Sequence, residues 1–120
     1  MDTSGWIAGE LAEWPTKSEM AQILDEAGLD VSVGLYSIQV LLSGNACFAF
    51  EEYGGDLGDP VINADADSAE ELLREARLVS DALMRAKLRH RFEIYSHGPD
   101  LLGYLHFDWP LKGERANDSR

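Results

Sequence analysis

The spacing of apolar residues changes twice along this chain, and that change restricts the fold more than any other feature. After Gly34 apolar and polar residues alternate, from Ser68 the apolar ones recur at helical spacing, and after Arg89 they alternate again. Period two buries one side of a strand, whereas a three-and-four spacing buries one stripe of a helix. In the first alternating stretch Tyr36, Ile38, Val40 and Leu42 lead into Ser43-Gly44-Asn45 and a second extended run from Ala46 to Tyr53. A three-residue loop pairs Val40 with Phe48 and Ile38 with Phe50, uniting the large side chains on one face, while a two-residue loop splits them. The three-residue loop is expected. Glu51 to Asp59 reads as a Gly- and Asp-rich connection, and Pro60-Val61-Ile62-Asn63 as a brief edge strand, since Pro is tolerated where a strand begins.

Two helices are predicted from their caps. Thr16 with Glu19, and Ser68 with Glu71, match the capping box, in which hydroxyl and carboxylate satisfy orphan amides at a helix start. Met20, Ile23, Leu24 and Ala27 follow the first cap, and Gly28 supplies a left-handed stop. Leu72, Ala76, Val79 and Leu83 form the stripe of a longer second helix, widened by Leu73 and Met84. Beyond it, Phe92 and Ile94 alternate with Arg91, Glu93 and Tyr95; His97-Gly98-Pro99-Asp100 turns the chain; Leu105, Phe107 and Trp109 alternate with Tyr104, His106 and Asp108. This second hairpin sets Phe92 against Leu105 on its buried side. On its other side Arg89 faces Asp108, Arg91 faces His106 and Glu93 faces Tyr104.

These readings predict an α+β fold: an antiparallel sheet of two hairpins with helices packed on one face, in the order helix, β-hairpin with a candidate third strand, long helix, β-hairpin. Residues 1–111 form a single domain. Its first fifteen residues, with Trp6, Ile7, Leu11 and Trp14 before Pro15, read as an arm or a further short helix. Residues 112–120, almost without apolar side chains, read as a disordered tail.

Charge is distributed very unevenly. Met1 to Leu73 carries fifteen Asp/Glu and one Lys, a formal charge of −14, whereas Arg74 to Arg120 carries seven acids and nine bases, a charge of +2. An acidic field repels nucleic-acid phosphates and anionic membranes and attracts basic protein surfaces over roughly 8 Å at physiological salt. Arg85, Lys87, Arg89, His90 and Arg91 form a basic cluster, read as a complement to the acidic half within or between subunits rather than as an RNA site. No apolar stretch reaches the roughly 18 residues of a membrane span, and the acidic N-terminus lacks the basic region of a signal peptide, so a soluble cytoplasmic protein is expected. Cys47 is the only cysteine, sits in an apolar run and reads as a buried, inert thiol.

Motifs for chemistry are scarce. Asn63-Ala64-Asp65-Ala66-Asp67 begins like a calcium loop, yet Ser68 replaces the required Gly and Arg74 the closing Glu, so no metal is expected there. Gly54-Gly55-Asp56-Leu57-Gly58 lacks a Lys and is ringed by acids, which excludes a phosphate loop. The best catalytic constellation is Glu93, Tyr104 and His106, where a carboxylate diagonal to an imidazole could make a general base; cross-strand pairing on an exposed face is the simpler reading.

Asp67-Ser68-Ala69-Glu70-Glu71-Leu72-Leu73-Arg74-Glu75-Ala76 resembles the strand-to-helix passage of HicB-type antitoxins, but the Pro-Asp-Leu-Pro-Gly signature of that family is absent and no family is assigned. In size and charge the chain is similar to small acidic immunity proteins that protect bacteria from basic toxins. The leading expectation is a non-catalytic module without cofactor that docks or neutralises a basic protein through Glu51, Glu52, Asp56 and Asp59. The alternatives are a homodimer joined through the Trp6/Trp14 arm or a sheet edge, and a small enzyme or ligand-binding domain using Glu93, Tyr104 and His106.

Overall fold

The computed structural model describes residues 3–42, 46–54, 59–98 and 100–109. It is an α+β fold in which two helices accompany a seven-stranded antiparallel sheet. In chain order the elements are β1 (Gly5–Leu11), α1 (Lys17–Glu26), β2 (Asp30–Val33), β3 (Ile38–Leu41), β4 (Cys47–Glu51), β5 (Val61–Ala66), α2 (Ala69–Arg85), β6 (His90–Ser96) and β7 (Leu101–Phe107). Across the sheet the order is β2-β3-β4-β5-β1-β6-β7.

The first segment is the main correction. Gly5–Leu11 is neither an arm nor a helix but a central strand, paired antiparallel with β5 on one side and β6 on the other. The sequence conceals it because Gly5 and Gly9 occupy positions on the buried face, leaving only Ile7 and Leu11 to mark an apolar side, at a spacing that also suits a helix turn. The glycines are required by close approach. A Cβ on Gly5 would lie 2.8 Å from both the Ala69 Cβ and the Tyr95 carbonyl oxygen, so only a residue without a side chain lets α2 start this close to the sheet. Two further corrections follow. β5 extends to Ala66 and lies inside the sheet rather than at its edge, and β2 adds an edge strand not anticipated from its polar sequence.

Both hairpin registers agree with expectation. Ile38 pairs with Phe50 and Val40 with Phe48, the register a three-residue loop dictates; residues 43–45 themselves lie outside the described residues. In the second hairpin Phe92 pairs with Leu105, Arg91 with His106 and Glu93 with Tyr104, and a bulge between Ile94 and Tyr95 shifts the ladder near the turn. Arg89 precedes β6 and makes its ion pair with Glu13, its Nη2 lying 2.6 Å from Oε2. Residues 112–120 lie outside the described residues.

The caps are in place. Thr16 Oγ1 accepts from the Glu19 amide at 3.1 Å and Ser68 Oγ from the Glu71 amide at 3.2 Å. Gly28, with φ of 87°, ends α1 as expected. At the corresponding place after α2 stands Lys87, with φ of 61°, a conformation that costs an L-residue about 1–2 kcal/mol.

Alternate strand residues face a single apolar core. Ile7, Ile38, Val40, Phe48, Phe50, Ile62, Phe92 and Ile94 are buried there together with Leu72, Ala76, Val79 and Leu83 of α2 and Met20 and Leu24 of α1. α2 contacts β1, β5, β6 and β7, whereas α1 contacts β2 and β3. The intervening strand residues form the opposite face of the sheet, which is partly or fully exposed.

Gly5→Ala is expected to destabilise the protein by about 1–3 kcal/mol in urea denaturation, because backbone rather than a mobile side chain opposes the new methyl. Gly98→Ala, whose Cβ meets nothing within 4 Å, should change stability by less than about 0.5 kcal/mol. Equal effects would refute the close-approach argument. Lys87→Gly should raise stability by up to about 1 kcal/mol in the same assay, by relieving the left-handed conformation.

Candidate functional site

The exposed face of the sheet concentrates most of the side chains capable of recognition. Its residues are fixed by strand alternation: Trp6, Ala8 and Glu10 on β1, Asn63 and Asp65 on β5, Arg91, Glu93 and Tyr95 on β6, and Tyr104 and His106 on β7. At its centre Arg91 Nε donates to Glu10 Oε1 at 2.6 Å, and Arg91 Nη1 donates to Glu93 Oε2 at 3.3 Å. The other oxygen of Glu93 accepts from the Tyr95 hydroxyl at 3.0 Å. Tyr95 stacks on Trp6 with ring centroids 4.3 Å apart and an interplanar angle of 17°. Trp109 lies 5.6 Å from the Arg91 guanidinium, and Tyr104 lies 5.1 Å from the His106 ring. A shallow depression of about 290 Å³ runs over Ala8, Val61 and Asn63, with Glu10, Arg91 and Glu93 along its margin.

Charge on this face is largely fixed in position. Partial burial opposes the charge on Arg91, yet Glu10 and Glu93 together hold its pKa above the ordinary value. The Tyr95 hydroxyl is likewise raised, first because it donates to Glu93, whose carboxylate disfavours a phenolate. Arg91 is thus committed to two carboxylates. Asp65, directly opposite Trp6 on β1 and Cys47 on β4, lies exposed on the same face.

Of the residues singled out from sequence, Glu93, Tyr104 and His106 do share this face, with Glu93 opposite Tyr104. The anticipated carboxylate–imidazole pairing is not formed: both Glu93 oxygens are engaged, by Arg91 and Tyr95. Glu51 ends β4 on the exposed side and sits opposite Val61, which on its other flank sits opposite Glu10. Glu52 follows in the turn, where it raises the pKa of the exposed Tyr53 by its negative charge. Asp59 is exposed just before β5, and Asp56 lies outside the described residues. Glu51 therefore joins the exposed face, and Glu52 and Asp59 lie beyond its β4–β5 end. Glu10, Asp65 and Tyr95 are not anticipated as site residues from the sequence, and Trp6 is expected only as a homodimer contact on an arm. Alternation across Trp6, Ala8 and Glu10 was the available signal, and it is legible only once Gly5 and Gly9 are read as buried.

A second polar constellation is internal. His90 is fully buried and Ser80 is 4% exposed, and the Ser80 hydroxyl lies 2.7 Å from His90 Nε2. His90 Nδ1 is 2.8 Å from the Leu88 carbonyl, which can only accept; Nδ1 therefore carries the proton and Nε2 accepts from Ser80. The pair has the distances of a hydroxyl nucleophile and its base. Its setting is that of a satisfied core pair: Ser80 sits within α2, where neighbouring amides are committed to helix hydrogen bonds, and the imidazole is oriented by a carbonyl rather than a carboxylate.

Among the described residues no three His, Cys, Asp or Glu side chains gather as a metal-ligand set, and no helix is long and apolar enough to cross a membrane. Comparison with protein-family models, curated proteins and solved structures finds no match.

The buried imidazole sets a pH dependence. Burial lowers the His90 pKa below its usual 6.5, so on acidification the unfolded chain takes up a proton before the folded one does. Unfolding free energy is expected to fall as the pH is lowered from about 7 towards about 5. Urea titrations of His90→Gln should show a shallower pH slope in that window, and an unchanged slope would remove His90 as its source.

Proposed function

We propose that this protein is a non-catalytic binding module that docks a basic protein against the exposed face of its sheet. The observation that carries this reading is the imbalance of charge on that face. Its strands present Asp30, Glu51, Asp65, Glu10 and Glu93, whereas Arg91, their one Lys or Arg among the described residues, is held by Glu10 and Glu93. A cation arriving on a partner meets carboxylates without a competing free base. Trp6, Tyr95 and Tyr104 supply rigid aromatic surface beside the acids, a combination suited to a protein interface with a charged approach. Glu51, with Glu52 and Asp59 beyond the end of the face, extends the acidic margin. A basic toxin is a partner of this class, which is the sense in which an immunity-like role is retained. The net charge of −12 gives such an association a fast, salt-sensitive encounter.

Self-association is a second reading, drawn from the unpaired outer edge of β7, where Leu101 and Leu102 are about half exposed. Light scattering that stays at the monomer mass over a concentration series removes it.

The test of the main reading is affinity capture on the immobilised full chain at low and high salt, repeated with a Glu51→Lys/Asp65→Lys variant. A basic protein retained at low salt, released by salt and bound at least about tenfold more weakly by the variant supports the reading. Retention that is indifferent to salt, or equal binding by the variant, overturns it.

A further inference from the structure

At the end of the sheet away from β7, the start of α1, the β2–β3 connection and the end of β4 enclose a cleft of about 140 Å³. Its rim is unusual for a chain with so complete a core: Leu35, Tyr36 and Tyr53 are 79%, 86% and 76% exposed. Three large apolar or aromatic side chains held in water around one cleft form a patch of the composition that dominates binding energy at protein interfaces. Trp14 lines the same cleft. Its indole Nε1 is out of contact with solvent and has no acceptor among the described residues, an omission that costs about 1–3 kcal/mol. The cleft thus lacks cover for its rim, and one side chain that lines it carries a buried donor without an acceptor.

The size of the cleft selects the occupant. At about 140 Å³ it lies below the roughly 300–1,000 Å³ of sites that enclose a cofactor or metabolite, and suits one side chain. Charge selects further. A second copy of this chain would bring another −12 against Glu52 and the neighbouring Glu51 and Asp59. Lys17, the one base in the first 73 residues, also lines the cleft, where its charged ammonium donates to the carbonyls of Gly34 and Leu35; Glu51 and Glu52 at the end of β4 outnumber it.

We infer that this cleft is an anchor socket for a basic protein: one aliphatic or aromatic side chain of the partner seats between Leu35, Tyr36 and Tyr53, its backbone carbonyl accepts from Trp14 Nε1, and an adjacent Lys or Arg faces Glu52. The indole nitrogen is sealed from solvent, so the proposed bond requires side chains around the cleft to change rotamer as the partner seats. The inference shares with the proposed function the basic character of the partner and the acidic margin at Glu51, Glu52 and Asp59; the anchor itself stands on the cleft and the unpaired indole beside it.

The experiment pans a random heptapeptide library on the immobilised full chain and on a Leu35→Ser/Tyr36→Ser variant, whose exposed positions leave the core untouched. The indole N–H resonances of the ¹⁵N-labelled protein are then followed as the selected peptides are added. The expected result is a consensus of one apolar residue beside Lys or Arg, a saturable shift of the Trp14 indole, and affinity at least about tenfold weaker in the variant. Peptides that shift the Trp6 indole but leave Trp14 unmoved overturn the socket while supporting the exposed sheet face. Selected peptides that move Trp14 and leave the sheet face undisturbed support the socket and count against that face. Failure to enrich any sequence over the variant, or a consensus that is acidic or lacks an apolar residue, overturns the socket.

Discussion

The whole structure depends on β1 being gripped from both sides. β2 through β5 form one antiparallel meander and β6 with β7 a hairpin, and among the described residues the ladders that join the two run through Gly5–Leu11. The segment before it contributes to α2 as well: the Thr3 carbonyl accepts from the Ala69 amide at 2.7 Å, satisfying one of the orphan donors at that helix start, while Thr3 Oγ1 donates to the Asp67 carbonyl. An N-terminal strand in the middle of a sheet closes its contacts with the last elements of the chain. Such long-range pairing is slow to form, because loop closure over most of the chain precedes the contacts that reward it. The bare backbone at Gly5 makes the insertion sterically possible.

That insertion also brings two acids of the N-terminal half onto two bases of the C-terminal half. β1 and the segment after it carry Glu10 and Glu13 alongside β6, where Arg91 and Arg89 receive them. The basic cluster of residues 85–91 is in part spent within the subunit. Glu13 shows the consequence: its hydrogen bond to Arg89 outweighs burial and lowers its pKa. The side chains of these pairs are 26–41% exposed, so each pair contributes little stability in water. Their larger effect is on the field: each pair cancels one base against one acid, and with 22 acids to 10 Lys and Arg the excess negative charge of −12 stays unbalanced.

Much of the fold is legible in the sequence where side-chain size marks the face. Phe48, Phe50, Ile38 and Val40 determine one register, Phe92 and Leu105 the other, and hydroxyl caps mark both helix starts. Elements whose buried positions are small or whose sequence is polar escape notice. β1 buries Gly5 and Gly9, β5 buries Ala64 and Ala66, and β2 carries Asp30 and Ser32 on an edge that asks for little burial. The candidate site suffers from the same blindness. Glu93, Tyr104 and His106 could be placed together because their hairpin is local, but Trp6 and Glu10 join them from eighty or more residues away, through a strand hidden by its glycines.

The arrangement of acids on the exposed face bears on whether their charge serves more than solubility. Like charges directly opposite one another destabilise a sheet. Here each acid has a neutral or basic neighbour across the ladder: Asp30 faces Leu41, Glu51 faces Val61, Asp65 faces Trp6 and Cys47, Glu10 faces Val61 and Arg91, and Glu93 faces Ala8 and Tyr104. Self-repulsion is therefore kept small while the field of all the acids adds in the solvent above the sheet. Acidity required only for solubility would be equally effective scattered over helices and loops. Most of the chain's 22 acids are scattered in that way; the five on the strands stand beside stacked aromatic rings, and it is these that, on the proposed reading, place potential where a large flat surface can approach.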